Sequence, residues 1–77
     1  MKVDVVVLHI HDTIAWYENG ELVFSRESED FVDSLSELVG KHIVSLTHKY
    51  VTEKGFENHC DGEIPDKLNV FAIDELE

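Results

Sequence analysis

At 77 residues the chain has room for one domain, with a single sheet and one or two helices around a modest core. Seventeen Asp and Glu against six Lys and Arg leave a formal charge of −11, which opposes contact with nucleic acid or anionic membranes and favours basic partners. The apolar fraction of 43% is that of a folded domain, so the acidity does not signal disorder. One cysteine, Cys60, excludes an internal disulfide framework. No stretch has the length of a membrane span, and MKVDVVVLHIH lacks the pattern of a secretory leader, so a cytoplasmic location is expected.

Residues 2–11 alternate so that Val3, Val5 and Val7 point one way and Val6, Leu8 and Ile10 the other. Such a strand is covered on both faces and belongs in the middle of a sheet. Residues 13–25 (TIAWYENGELVFS) form two strands about Asn19–Gly20, the favoured type I′ pair. A two-residue turn sets Glu18 opposite Glu21, Tyr17 opposite Leu22, Trp16 opposite Val23 and Ala15 opposite Phe24. That register places Trp16 and Phe24 on opposite faces. Glu18 and Glu21 are like charges set against each other, which costs on the order of a few tenths of a kcal/mol. Broken local rules are where functional surfaces are sought, although a solvated turn tolerates such a pair cheaply.

Residues 28–40 (SEDFVDSLSELVG) read as one amphipathic helix. Phe31, Leu35 and Leu38 recur at i, i+4 and i+7, with Val32 and Val39 beside them, as a core-facing stripe. Ser28 suits the N-cap, Glu29 and Asp30 the positive end, and Gly40 the stop. Asp30, Asp33 and Glu37 lie opposite the stripe. No basic residue stands between Glu27 and Gly40, so these acids have none of the i+4 partners of a routine surface helix. Residues 42–51 (HIVSLTHKYV) predict a fourth strand with Val44, Leu46 and Tyr50 on one face. Residues 52–67 are irregular, with a helical turn near Phe56; residues 68–73 suggest a short fifth strand, and the tail 74–77 is expected to fray. The order β-β-β-α-β predicts an α+β fold in a single domain, 1–77: an antiparallel sheet of four to five strands with one helix packed on one face. One helix covers one face only, so either the 52–67 excursion folds over the other or a second copy does, and a homodimer through a sheet face or an edge strand is expected.

Residues with chemical potential are few. His9 and His11 lie on one face at the exit of the first strand, and zinc sites use such pairs when further ligands arrive from elsewhere, here His42, His48, His59, Cys60 or Asp61. The spacing matches no established zinc pattern, and neither metal nor cofactor is assigned; a small metal-binding enzyme using His9 and His11 is the third of three readings. Cys60 stands between His59 and Asp61, but adjacent side chains on an irregular segment seldom meet. Glu63 and Asp66 have no apolar pocket to separate their pKa values, and no Gly-rich phosphate loop is present. The chain therefore reads as non-catalytic.

The charges are segregated along the sequence. Residues 27–40 hold five acids and no Lys or Arg, and residues 55–77 hold seven acids against Lys67, while Lys41, Lys49 and Lys54 cluster on and beyond the fourth strand. With EDFVDSLSE, the Glu18–Glu21 tip and the tail DELE, the chain resembles, in size, charge and layout, the small acidic bacteriophage proteins that disable host factors by imitating the phosphates of DNA. The resemblance implies a basic host partner in the host cytoplasm: a histone-like nucleoid protein, RNA polymerase, or a DNA-repair enzyme such as uracil-DNA glycosylase. Nucleic acid itself would not be bound. Helical carboxylates three or four residues apart lie roughly 5–6 Å from one another at Cβ, dense enough to follow a basic groove. The acidic stretches supply the candidate partner-binding residues Glu18, Glu21, Glu27, Glu29, Asp30, Asp33, Glu37, Asp74 and Glu75. An antitoxin-like or adaptor module that neutralises a basic protein is the alternative.

Overall fold

The alternation in the first ten residues organises the whole architecture. A computed structural model describes residues 2–40 and 42–77; Met1, Lys41 and the side chains of Glu37 and Leu38 lie outside the described part. Strands β1 (Lys2–Ile10), β2 (Thr13–Glu18), β3 (Glu21–Glu27) and β4 (His42–Tyr50) form one sheet in the order β3-β2-β1-β4. Val3, Val5, Val7, Ile14 and Trp16 build one buried cluster, joined by Phe24, Phe31 and Ile43. Leu8, Ile10, Ala15 and Tyr17 build the other, so β1 is an inner strand covered on both faces.

The α+β class and the four strands agree with the sequence, but the sheet is mixed rather than antiparallel. β1–β2 and β2–β3 are antiparallel, whereas β4 runs parallel to β1. The connection after β3 carries the chain across the sheet to the far side of β1, and a crossover of that kind delivers the next strand in parallel.

At the hairpin, Asn19 (φ 53°) and Gly20 (φ 84°) both take positive φ, as a type I′ turn requires. Glu18 faces Glu21 and Tyr17 faces Leu22, but the ladder then shifts to Trp16 opposite Phe24 and Ala15 opposite Ser25. Val23 is the extra residue of a bulge. The bulge brings Trp16 and Phe24 onto one face instead of opposite faces, with their rings stacked at 5.3 Å.

The expected helix is a run of three short pieces: a 3₁₀ turn at Ser28–Asp30, α1 at Phe31–Ser34 and a second 3₁₀ turn at Leu35–Leu38. A 3₁₀ turn has three residues rather than 3.6, so each change of pitch rotates the apolar stripe off its line. Phe31 meets the core, but Leu35 is 37% exposed, Val32 73% and Val39 83%. Among the described side chains of the run, the fully buried one is Ser34, whose hydroxyl donates to the Asp30 carbonyl and accepts from Arg26 Nη1.

Residues 52–77 form no fifth strand. They make α2 (Glu53–Gly55), a π turn at Phe56–Cys60 and 3₁₀ turns at Leu68–Val70 and Ile73–Glu75. The segment lies across the sheet as a strap, setting Cys60, Phe71, Phe56, Ile64, Leu68 and Leu76 against the Leu8–Tyr17 cluster. A chain crossing a face meets strand edges only where it passes them. At β3, Leu22 N–H donates to the Asp66 carbonyl (2.8 Å) and Leu68 N–H to the Gly20 carbonyl (2.9 Å). At the end of β4, Tyr50 and Glu77 exchange both backbone hydrogen bonds, at 3.0 and 2.7 Å. The tail is thus tied to the sheet where the sequence suggested fraying, and the strap covers this face.

Candidate functional site

The turn between β1 and β2 brings two acidic stretches of the chain together. His11 takes φ 52° and swings the chain back, so that Asp12 lies beside the end of β3. There Thr13 pairs with Glu27, and the Ser28 N–H donates to the Asp12 carbonyl at 2.7 Å. These bonds hold three carboxylates from two parts of the chain around an open cleft of about 530 Å³, lined by Asp12, Thr13, Glu27, Ser28 and Glu29. Asp12, Glu27 and Glu29 are exposed, and among the described residues none that lines the cleft is basic. The cleft offers carboxylate and hydroxyl oxygens to an ammonium or guanidinium group, and Arg in particular is matched by paired carboxylate acceptors.

The remaining candidate residues divide between this end and others. Asp33 is exposed and Asp30 half-buried on the helical run that continues from Glu29, so they extend the acidic surface. The side chain of Glu37 lies outside the described part. Glu18 and Glu21 sit at the opposite end of the β2–β3 hairpin, roughly 20 Å away at about 3.4 Å per residue. Glu18 accepts a hydrogen bond from Trp16 Nε1 at 3.0 Å. Glu21 is paired with Lys67, whose hydrogen bond and charge lower its pKa. Asp74 is likewise engaged, with Lys54 Nζ at 2.6 Å.

Glu75 is not a surface acid. It is 4% exposed and accepts from the Ala72 N–H (2.7 Å), Asn58 Nδ2 (2.8 Å) and His59 Nε2 (2.8 Å). It anchors the strap and is unavailable to a partner. Asp12, by contrast, joins the site without any signal in the sequence, because it is fifteen positions from Glu27 and only the fold brings the two together.

The two histidines of the first strand separate. His9 stays in β1 on the Trp16 face, its Nε2 2.9 Å from Nδ1 of His48, a hydrogen bond that one neutral ring donates and the other accepts. Tyr50 stacks on the His9 ring at 4.5 Å. His11, turned out of the strand by its positive φ, lies edge-on to Phe56 of the strap on the other face. Among the described residues, no group of three or more His, Cys, Asp and Glu side chains is placed to hold a metal ion. Cys60 is buried, and burial pushes its thiol pKa up, away from the reactive thiolate. Tyr17 is also buried, and its hydroxyl donates to the Pro65 carbonyl at 2.6 Å. Burial first, then Cys60 and Asp66, push its phenol up to about 12. No helix is long and apolar enough to cross a membrane among the described residues. No family model, curated protein or solved structure matches the chain.

Proposed function

We propose that the protein is a non-catalytic binding module whose acidic end occupies the basic, nucleic-acid-binding surface of a partner protein. The observation that supports this reading is the convergence of Asp12, Glu27 and Glu29 on one cleft with no basic residue in its lining among the described residues. Asp30 and Asp33 carry the same charge onward along the adjoining helical run. A stripe of Lys and Arg that releases counterions from DNA phosphates meets carboxylates here in place of those phosphates. The chain's overall charge of −11 draws such a partner in from a distance and repels nucleic acid itself.

The test is affinity capture from a bacterial lysate, followed by titration of the captured protein against the wild type and the Asp12→Lys/Glu27→Lys/Glu29→Lys variant. The reading expects loss of binding in the variant, steep weakening with salt as the Debye length falls below about 8 Å, and displacement of the complex by DNA. Affinity that survives the triple reversal would place the binding surface elsewhere.

A further inference from the structure

The Trp16 face of the sheet is covered only in part. The helical run crosses it with Phe31 turned inward, and on one flank Ser34 reaches Arg26 of β3 at 3.2 Å. Side chains advance by about 100° per residue along a helix. Val32, two positions from Ser34, therefore lies on the opposite flank, towards β4, and Leu35 follows it one turn on. Phe31 joins the two elements by meeting His48 of β4 edge-on at 5.3 Å. Leu46 and Tyr50 share this face with His48, since they pair with Val5 and His9. Leu46 is 41% exposed and Tyr50 51%. With Val32 and Leu35 they form an apolar corner between the run and the last strand, which no other described element covers.

We propose that this corner receives an amphipathic helix of a partner protein, one whose apolar side is bordered by Lys and Arg. The inference rests on the reading of the acidic end as a partner-binding surface, and it names the element of the partner that is bound.

Geometry selects a helix. The backbone hydrogen-bonding groups of β1 and β4 lie in the plane of the sheet, so an occupant of its face must satisfy its own. A helix does so, and helix on sheet is the ordinary second layer of an α+β fold. Phe31, packed on the Val3–Trp16 cluster, is already an instance of it within the chain. Leu46 and Tyr50 are separated by about 13 Å of strand, the length of two to three helical turns.

Charge selects a basic one. Glu29 and Asp33 are exposed on the run, and the sequence has no Lys or Arg between Glu27 and Gly40. The described cations are placed elsewhere. Arg26 lies over Phe24 and on Ser34, while Lys49, opposite Leu8, points to the strap's face. Lys2 shares that face by alternation with Val3, and Lys54 and Lys67 pair with Asp74 and Glu21. A second copy docked here would bring its own carboxylates against these, whereas Lys and Arg reach them from the border of a helix seated beside the run.

The probe is a synthetic peptide of about 14 residues, four helical turns, with Leu along one side and Lys along both borders. It is titrated into ¹⁵N-labelled protein beside two relatives, one with Gln for every Leu and one with Glu for every Lys. The expected result is a peptide that becomes helical on binding, with amide shifts concentrated at Val32, Leu35, Leu46 and Tyr50. Both relatives should bind at least about tenfold more weakly, and so should the first peptide to the Val32→Ser/Leu46→Ser variant, whose melting temperature stays near that of the wild type. Equal binding of the Leu-free peptide overturns the inference and leaves the reading of the acidic end standing. Equal binding of the Glu peptide, shifts confined to Asp12 and Glu27, or no binding at all overturns it as well. So does a dimer of the free protein that the Val32→Ser/Leu46→Ser variant dissolves, since a second copy then holds the corner. The reading of the acidic end fails on a different result, a captured partner indifferent to the Asp12→Lys/Glu27→Lys/Glu29→Lys reversal.

Discussion

Glu75 and His59 meet at 2.8 Å inside the strap, and the carboxylate they share with Ala72 and Asn58 is among the most enclosed polar groups of the described residues. The Ala72 N–H, then Asn58 and then His59, bonded to the ionised form, hold its pKa down at about 2 against an ordinary 4.5. Folding therefore favours the carboxylate; the stabilisation is complete above pH 4.5 and is lost as pH falls from 4.5 towards 2. Glu75→Ala should lower the melting temperature by several degrees at neutral pH and flatten the acid limb of stability against pH. Thermal melts of both proteins across that window check it.

His9 adds a second, earlier acid limb. Burial first, then the charge of His48, lower its pKa below the ordinary 6.5, so the folded protein holds fewer protons there than the unfolded chain. The contribution is present above pH 6.5 and declines as pH falls below it. His48→Gln removes the second charge, and urea titrations at a series of pH values should show a shallower decline in that variant.

Two glycines separate crowding from backbone conformation. A Cβ on Gly55 would lie 2.6 Å from the Glu75 carbonyl oxygen and 3.0 Å from Val51 Cγ1, where the strap is pinned against its own end. Gly55→Ala should cost about 1–3 kcal/mol through overpacking. A Cβ on Gly20 would meet nothing within 4 Å, but φ is +84°. Gly20→Val should cost about 1–2 kcal/mol from the left-handed backbone alone, and denaturant midpoints measure both.

Cys60 reports on the strap. It is 6% exposed under Phe71 and its neighbours. Alkylation by iodoacetamide should be slow in the native protein and fast in denaturant, and Phe71→Ala should speed the native reaction several-fold.

The two faces of β1 were legible because side chains alternate along an unbroken strand, and Val3, Val5 and Val7 against Val6, Leu8 and Ile10 leave no other arrangement. Asn19–Gly20 was legible because few residues accept positive φ twice in succession. The direction of β4 was not, since parallel pairing is decided by where the crossover travels and no residue in β4 encodes it. The Trp16–Phe24 stack was hidden by the bulge at Val23, which no Gly or Pro marks. Leu35 misled because its place in the stripe assumed a pitch that the 3₁₀ turns do not keep. The acids were legible as a class but not as a site: Asp12 joins Glu27 only through the turn at His11, and Glu75 leaves the surface only because Asn58 and His59 wait for it in the strap.

The pairing of Lys2 with His42 and of His9 with Tyr50 has a kinetic consequence. The β1–β2–β3 meander closes through short loops, whereas β4 must return across everything between, at a chain-entropy cost that delays it. In that interval β1 is an edge, and Val5–Ile10 is an uncharged, β-prone segment open to other unfinished chains. The carboxylates surrounding it then act as a spacer between molecules, holding partly folded copies apart until β4 arrives. Refolding yield should therefore fall as salt screens that repulsion, even while the finished fold grows no less stable.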